Sequence, residues 1–225
     1  MLEEFQRIGR LMFAERLIGS HGANLSVRKG DKVFITRTGA MLADLKAEDI
    51  VEVELGSAEV DKGISPELPT HLAVYKNSKA LAIIHAHPAT AIALSITDNK
   101  IVPQDAEGLH FYKAAPIVRV RDGVGSEETV RLLPNFLGDN NVIAVVKAHG
   151  SFAVGQTLEE AYKYTSLLEN SCRIIVAIRS SGSRGTAEEK RPSRPNSRPA
   201  GNRRDYKSAI PPGIGVMDRS RYHKR

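Results

Sequence analysis

Apolar and polar residues along the first part of the chain alternate between helical and extended periods. Apolar residues recur at helical spacing from Leu2 to Ile18 and stop at Gly19, which predicts a first helix. The segments ANLSVR and KVFITRT alternate apolar with polar residues and flank the turn KGD, which predicts a hairpin. IVEVEL predicts a further strand.

The middle and end of the body continue this mixture. A helix is predicted from Pro69 to about Lys76, because proline fits a first helical turn. The β-branched, apolar run LAIIHAH predicts a strand that ends before Pro88, which cannot donate to a ladder. Further predicted elements are a helix over 89–94, the strand IVRV, a helix over 126–136, the paired strands VIAVVKAH and SFAVG, and a long helix over 158–178. Because several strands are joined by tight turns, we predict an α/β fold with a mainly antiparallel, mixed sheet packed by helices.

Charge divides the chain near residue 178. Residues 179–225 hold 13 Lys and Arg against 4 Asp and Glu, whereas residues 1–178 hold 19 against 22. The net charge of +6 therefore belongs to the tail, and it does not indicate a nucleic-acid partner for the body. We expect one domain over 1–178 and a Pro/Ser/Arg-rich tail over 179–225, whose last 20 residues either stay in solvent, as the composition favours, or dock through their apolar residues.

The sequence also indicates where in the cell the protein is expected. No apolar run approaches the roughly 20 residues of a membrane span, and MLEEFQRIGR begins with acids, unlike a signal peptide. We therefore expect a cytoplasmic protein without a membrane partner. The single Cys172 lies in an apolar helical pattern, which predicts a buried thiol.

Three histidines form the first candidate site. His85 and His87 are two residues apart in a predicted strand, so both side chains point to one face and can share an ion. His149 follows another predicted strand and precedes Gly150, where the chain can turn back. Three histidines with an open position describe a catalytic zinc site. From spacing alone, histidines that are merely packed in the core are an equal alternative.

Polar residues near the predicted hairpin and the Pro69 helix suggest acid–base and anion-binding chemistry. Glu67 is either a general base beside the metal or an ordinary acid at a helix N-terminus. GANLSVR and ITRTGAM supply small donors and turn residues that can surround an anion, although hairpins are rich in the same residue types: Asn24, Ser26, Thr36, Thr38 and Gly39.

Taken in order, the segments of residues 2–178 resemble the class II aldolase and adducin family, most of all its L-fuculose-1-phosphate aldolase branch. The segments that carry the resemblance are GANLSVR, ITRTG, SPELPTH, HAHP, the DAE near Asp105, KAHGSFAVG and TLEEAYKYTSLLE. The resemblance implies a central, mainly antiparallel sheet with helices on both sides. It also implies a homotetramer with active sites between subunits.

The resemblance implies roles for individual residues. The metal ligands would be His85, His87 and His149. Glu67 would be able to coordinate the metal in the empty site and would serve as the catalytic base when substrate binds. The substrate phosphate would lie against Asn24, Thr38, Gly39 and Ser65, and His71 would be structural. The activity implied is that of a carbon–carbon lyase that cleaves a phosphorylated ketose such as fuculose 1-phosphate. Its products would be dihydroxyacetone phosphate and a small aldehyde such as lactaldehyde, formed through a zinc-stabilised enediolate, with other divalent transition metals as alternatives to zinc.

The chain departs from the family pattern at two places. Ser65-Pro66-Glu67 replaces the common Ser-Ser-Glu, so one hydroxyl for the phosphate is missing. VRVRDG, with Arg121, stands where the family enzyme has a tyrosine that serves a neighbouring subunit. The proton donor to the aldehyde oxygen therefore stays open among four residues: His110, Tyr112, Tyr206 and Tyr222.

Three other functions compete with the aldolase. The pentulose-phosphate 4-epimerases of the family place Asp where this chain has Glu67, which ranks them lower. A sugar-phosphate dehydratase of the methylthioribulose 1-phosphate type keeps the histidines and a Glu, and it stays open. A non-enzymatic, adducin-like scaffold predicts loss of the metal ligands, which are intact here.

Overall fold

The computed structural model describes residues 1–57, 63–138 and 141–182. The chain divides into a unit of Met1–Thr186 and one of Ala187–Arg225, and all described residues belong to the first. The predicted division at residue 178 stays a prediction, and the docking end of the tail lies outside the described residues.

The helices are α1 (Leu2–Ala14), α2 (Leu68–Asn77), α3 (Ala89–Thr97), α4 (Ala106–Phe111), α5 (Glu127–Leu132) and α6 (Leu158–Ser180). The strands are β1 (Asn24–Lys29), β2 (Lys32–Thr36), β3 (Ile50–Glu54), β4 (Ala82–Ala86), β5 (Lys100–Ile101), β6 (Ala115–Val118), β7 (Ile143–Val146) and β8 (Gly150–Gly155).

The eight strands form one sheet in the order β3-β2-β1-β4-β8-β7-β6-β5. Only β6 and β7 pair in parallel, and the segment between them contains α5. All other neighbours are antiparallel, including the predicted β1–β2 and β7–β8 hairpins. The predicted α/β fold with a mainly antiparallel, mixed sheet is therefore confirmed.

Alternation along the strands divides the interior into two apolar layers. In β4, Ala82, Ile84 and Ala86 pack in the layer that contains residues of α1, α3 and α6. Ile83 of the same strand packs in the layer that contains residues of α2. Because successive side chains of a strand point to opposite faces, the two layers lie on opposite sides of the sheet. Helices on both sides of the sheet are thus confirmed.

The first helix is shorter than its apolar spacing predicts, since it ends at Ala14 and not at Ile18. Arg16 adopts a left-handed conformation with φ 60°. Its amide donates to Phe13 O at 3.0 Å, and the amide of Leu17 donates to Met12 O at 2.9 Å. These bonds form a Schellman cap. Leu17 is buried, but it reaches the core from outside the helix.

The helix predicted over 126–136 is also divided. Ser126 caps α5, and its side chain accepts the amide hydrogen of Thr129. The α-helix ends at Leu132 and a 3₁₀ turn continues over Leu133–Phe136. Pro134 explains the change, because proline has no amide hydrogen for an α-helical bond.

The last described helix, α6, is the longest. Thr157 caps it and accepts the amide hydrogen of Glu160. Cys172 is buried on its inner face, as predicted, and burial raises the pKa of the thiol. Within the described ranges, none of the helices combines the length and apolar character that crossing a membrane requires.

Glycine at position 9 lets α1 lie against the 3₁₀ turn Leu42–Asp44. A Cβ on Gly9 would lie 1.9 Å from Leu42 O. We expect Gly9→Ala to lower the free energy of unfolding by about 1–3 kcal/mol in urea denaturation, because overpacking outweighs the gain in helix propensity. Gly19→Ala is the control, since nothing lies within 4 Å of its Cβ. Equal urea midpoints for the two variants would contradict the prediction.

Candidate metal centre

His85 is held in one orientation on β4. Its Nδ1 lies 3.0 Å from Ser151 O, and a carbonyl can only accept, so Nδ1 carries the ring proton and Nε2 is left unprotonated. The ring stacks on Phe152 with centroids 4.2 Å apart and planes at 21°. A histidine fixed in this way is the arrangement typical of a metal ligand with a backbone partner.

His87 lies one residue beyond the end of β4, so the prediction that both histidines lie on the strand is wrong for His87. Its amide donates to Leu17 O at 3.0 Å, and Pro88 follows and cannot continue the ladder. The two imidazoles are nevertheless side by side, with 3.0 Å between the Nε2 atoms of His85 and His87.

His149 lies in the turn between β7 and β8, as the Gly150 signal predicts. Ala148, with φ 58°, reverses the chain, and the ring centroid of His149 comes within 4.7 Å of that of His85. A Cβ on Gly150 would lie 2.4 Å from Ala86 O and 2.7 Å from His87 Cδ2. Only glycine therefore lets the turn approach so closely.

Together the three histidines could hold one metal ion. One ring nitrogen of each lies within 4.8 Å of the others. Burial lowers the pKa of all three, that of His149 to about 4 with a contribution from His87. The rings are therefore neutral near pH 7, as metal binding requires. Three imidazoles with an open position fit a catalytic zinc ion.

Glu67 lies beside His149. The carboxylate is buried, and its Oε1 lies 3.7 Å from His149 Nε2 and accepts the amide hydrogen of Gly125 at 2.9 Å. Glu67 is the N-cap residue of α2, as the alternative of an acid at a helix N-terminus expects, but its side chain makes no capping bond. Burial raises the pKa of this carboxyl group.

The loop over 121–125 packs against both Glu67 and His149. The sequence singles out part of this loop, VRVRDG, as a departure from the family pattern, but it does not predict these contacts. A Cβ on Gly123 would lie 2.9 Å from His149 Cβ. Gly125 has φ 57°, and a Cβ there would lie 2.8 Å from Pro66 O. Within this loop, the sequence shows two glycines, Gly123 and Gly125. The sequence does not indicate which side chains these glycines approach.

Two of the predicted phosphate-binding residues lie next to this group. Asn24 faces His85 across the β1–β4 pairing, and its Nδ2 donates to Ser65 Oγ at 3.1 Å. The same Ser65 Oγ accepts the amide hydrogen of Glu67 at 3.3 Å. Both side chains are buried, and Asn24 Oδ1 has no partner, so a polar group of a ligand could satisfy it.

The other two predicted phosphate-binding residues lie on an exposed turn. Thr38 Oγ1 donates to Ile64 O at 2.7 Å, which ties the turn to the segment that contains Ser65. Gly39 follows with φ 73°. The structure brings the turn near Ser65, and a role in phosphate binding stays a prediction.

His71 is structural, as predicted. It is fully buried, and burial lowers its pKa to about 3. Its Nδ1 lies 2.7 Å from Ser26 Oγ, which lies 2.7 Å from Tyr75 Oη. The network reaches the histidine site through Phe152, whose ring centroid lies 5.9 Å from that of His71.

The two candidate proton donors that the structure describes, His110 and Tyr112, are not brought to the histidines. Tyr112 is buried in the layer opposite to Phe152, on which His85 stacks. His110 is exposed on α4, and the exposed Arg121 donates its amide hydrogen to Glu128. The candidates Tyr206 and Tyr222 lie outside the described residues.

Comparison with known proteins gives relatives along most of the chain. The family model described as Class II Aldolase and Adducin N-terminal domain matches residues 3–176. An L-fuculose phosphate aldolase of Methanococcus vannielii is 30% identical, over 77% of this chain and 94% of its own length. A methylthioribulose-1-phosphate dehydratase of Acidiphilium cryptum is 32% identical, over 74% of this chain and 85% of its own. The crystal structure of L-fuculose-1-phosphate aldolase from Thermus thermophilus superposes with TM-score 0.78 at 33% identity, over 83% of this chain and 98% of its own.

Proposed function

Because the chain belongs to the class II aldolase and adducin family, we propose that it is a zinc-dependent aldolase of small phosphorylated ketoses. The substrate would be fuculose 1-phosphate or a similar sugar, cleaved to dihydroxyacetone phosphate and a small aldehyde such as lactaldehyde. The observation that carries the proposal is the trio of neutral histidines, of which His85 is buried and the other two partly buried, with the Glu67 carboxylate 3.7 Å from His149. Relatives named as fuculose phosphate aldolases support the substrate class.

The protein's residues divide the work of the cleavage. A divalent ion on His85, His87 and His149 supplies Lewis-acid chemistry for the negative charge that develops when the carbon–carbon bond breaks. The electron pair of that bond stays with the ketose fragment. The departing fragment becomes the aldehyde by giving its hydroxyl proton to the residue that, in the reverse direction, donates a proton to the aldehyde oxygen. The ketose fragment must then gain a proton at carbon.

Glu67 is suited to carry that proton. Its raised pKa increases the fraction of the carboxyl group that is protonated near neutral pH. The amide of Gly125 fixes Oε1, and this bond and the Thr70 side chain lower the pKa of the carboxyl group less than burial raises it. We assign the substrate phosphate to Asn24, Thr38, Gly39 and Ser65. The Ser65 hydroxyl, the second Nδ2 hydrogen of Asn24 and the backbone amides of the turn are suitable donors, while Thr38 Oγ1 donates to Ile64 O and holds the turn in place.

A homotetramer and a separate basic tail over 179–225 are part of the proposal, as is a cytoplasmic location. Tyr112 and His110 do not meet the histidines within the described part of this subunit. The group that exchanges a proton with the aldehyde oxygen would therefore come from Tyr206 or Tyr222, or from a neighbouring subunit of the proposed tetramer.

A dehydratase is the second candidate. The Acidiphilium relative named methylthioribulose-1-phosphate dehydratase is 32% identical to this chain. The same metal ligands and acid could support loss of water from a ketose phosphate instead of carbon–carbon cleavage. The two reactions differ in their products, which makes them separable by assay.

The test is to incubate the zinc-loaded protein with three substrates: fuculose 1-phosphate, ribulose 1-phosphate and methylthioribulose 1-phosphate. Release of dihydroxyacetone phosphate is followed by a coupled assay, and a dehydrated diketone by its absorbance. We expect triose phosphate from at least one substrate, lost on chelation and restored by zinc. Absence of triose phosphate from all three would overturn the aldolase proposal, and a diketone product would establish the dehydratase.

A further inference from the structure

Helix α3 contacts both of the chain segments that carry the candidate metal ligands. It begins at Ala89, two residues after His87, and the intervening Pro88 restricts the connection. Near its other end, Ser95 Oγ accepts the amide hydrogen of Ala148 at 2.9 Å. Ala148 directly precedes His149. One helix is therefore joined covalently to one ligand and by a hydrogen bond to the turn of another.

The hydroxyl of Ser95 is committed to this turn. The side chain is fully buried, and it donates its own hydrogen to Ile92 O at 2.6 Å. Because the hydroxyl hydrogen is used in that bond, the Ser95 oxygen can only accept further hydrogen bonds, and it accepts the amide hydrogen of Ala148. Ala148 has φ 58°, a conformation that is unfavourable for a residue with a Cβ and that persists only where surrounding contacts fix it. Without the Ser95 acceptor, the turn would lose one of those contacts.

Glu169 fixes the opposite end of α3 from a neighbouring helix. This carboxylate on α6 is 2% exposed. It accepts the amide hydrogens of Thr90 and Ala91 at 3.1 Å each, and the Thr90 hydroxyl at 2.7 Å. The first amides of a helix have no partner within it, and Pro88 offers no side-chain cap. Arg173, at 3.2 Å, balances the buried charge.

We propose that Ser95 and Glu169 are positioning residues of the metal centre. Glu169 fixes the start of α3 and hence His87, while Ser95 fixes the turn that carries His149. The inference rests on the proposed metal site and extends it to residues that touch neither ion nor substrate. Since loss of groups that orient metal ligands typically weakens metal binding about 10–100-fold, we expect effects of that size.

The test compares S95A and E169Q with matched controls. T165V removes a fully buried hydroxyl that donates only to Ala161 O within α6. E160Q alters a carboxylate on the same helix that accepts the amide hydrogen of Gln156. The measurements are zinc affinity by competition with a chelating dye, the visible absorption spectrum of bound Co²⁺, and the melting temperature of the metal-free protein.

We expect S95A and E169Q to bind zinc about 10–100-fold more weakly and to change the Co²⁺ spectrum, while both controls stay within about twofold of the wild type. If all four variants lose melting temperature alike and keep wild-type zinc affinity and Co²⁺ spectrum, the positioning role is overturned. If E169Q fails to fold, S95A decides the question, because it removes only a hydroxyl.

The same measurements separate this inference from the proposed function. A wild-type protein that binds neither zinc nor Co²⁺ would overturn the metal centre and the positioning role together. Zinc binding that S95A weakens, in a protein that cleaves none of the three sugar phosphates, would support the positioning role and overturn the aldolase.

Discussion

Replacing His149 with alanine is expected to reduce zinc affinity by more than about 100-fold, beyond the range for groups that merely orient a ligand. The substitution removes one of three imidazoles whose ring nitrogens lie within 4.8 Å of one another. Two neutral imidazoles then remain, and triose phosphate release should fall to background. His149 is partly exposed in a turn, so the cost to folding should be small.

The measurement for His149→Ala is zinc stoichiometry after dialysis, together with zinc affinity by dye competition. His110→Ala is the control for metal binding, since His110 is exposed on α4 and is not part of the histidine trio. One zinc per chain with unchanged affinity in His149→Ala would rule out the proposed ligand set.

Replacing Glu67 with glutamine is expected to lower kcat by about 10²–10⁴-fold, the usual contribution of a positioned acid or base. The amide matches the carboxylate in shape, and its oxygen can still accept the amide hydrogen of Gly125. It cannot carry the proton to carbon. Zinc affinity should change little, because the three histidines stay in place.

The Glu67→Gln experiment reads kcat, KM and zinc affinity in the same preparation. Glu48→Gln, which alters an exposed acid on a 3₁₀ turn, should match the wild type. An unchanged kcat in Glu67→Gln would exclude Glu67 as the group that carries the proton. A loss of zinc affinity as large as that of His149→Ala would make Glu67 a metal ligand instead.

The sequence predicts the long periodic elements well and the short ones poorly. The β1–β2 hairpin and α6 follow from their apolar periods and turn residues. The end of α1 does not, because Arg16 closes the helix from a left-handed conformation that residues other than glycine rarely adopt. The strand Lys100–Ile101 and the helix α4 are too short to display a period, and both were missed.

In the candidate site, too, some residues could be predicted from the sequence and others could not. His85, His87, His149 and Glu67 lie in segments whose spacing and order point to them, and the structure brings them together. Gly123, Gly125, Ser95 and Glu169 gain their importance from tertiary contacts: Glu169 meets Thr90 across 79 positions of sequence. Periodicity cannot supply such pairings, because it reports only the local environment of each residue.

The strand order has a consequence for when the metal centre can assemble. His85 on β4 and His149 beyond β7 are 64 positions apart in the chain, and they meet only because β8 lies between these strands in the sheet. Early local structure such as the β1–β2 hairpin contains none of the three ligands. Because pairing of such distant segments is slow, we expect the ligand set to be completed late in folding. An ion bound there would then slow unfolding more than it would accelerate folding.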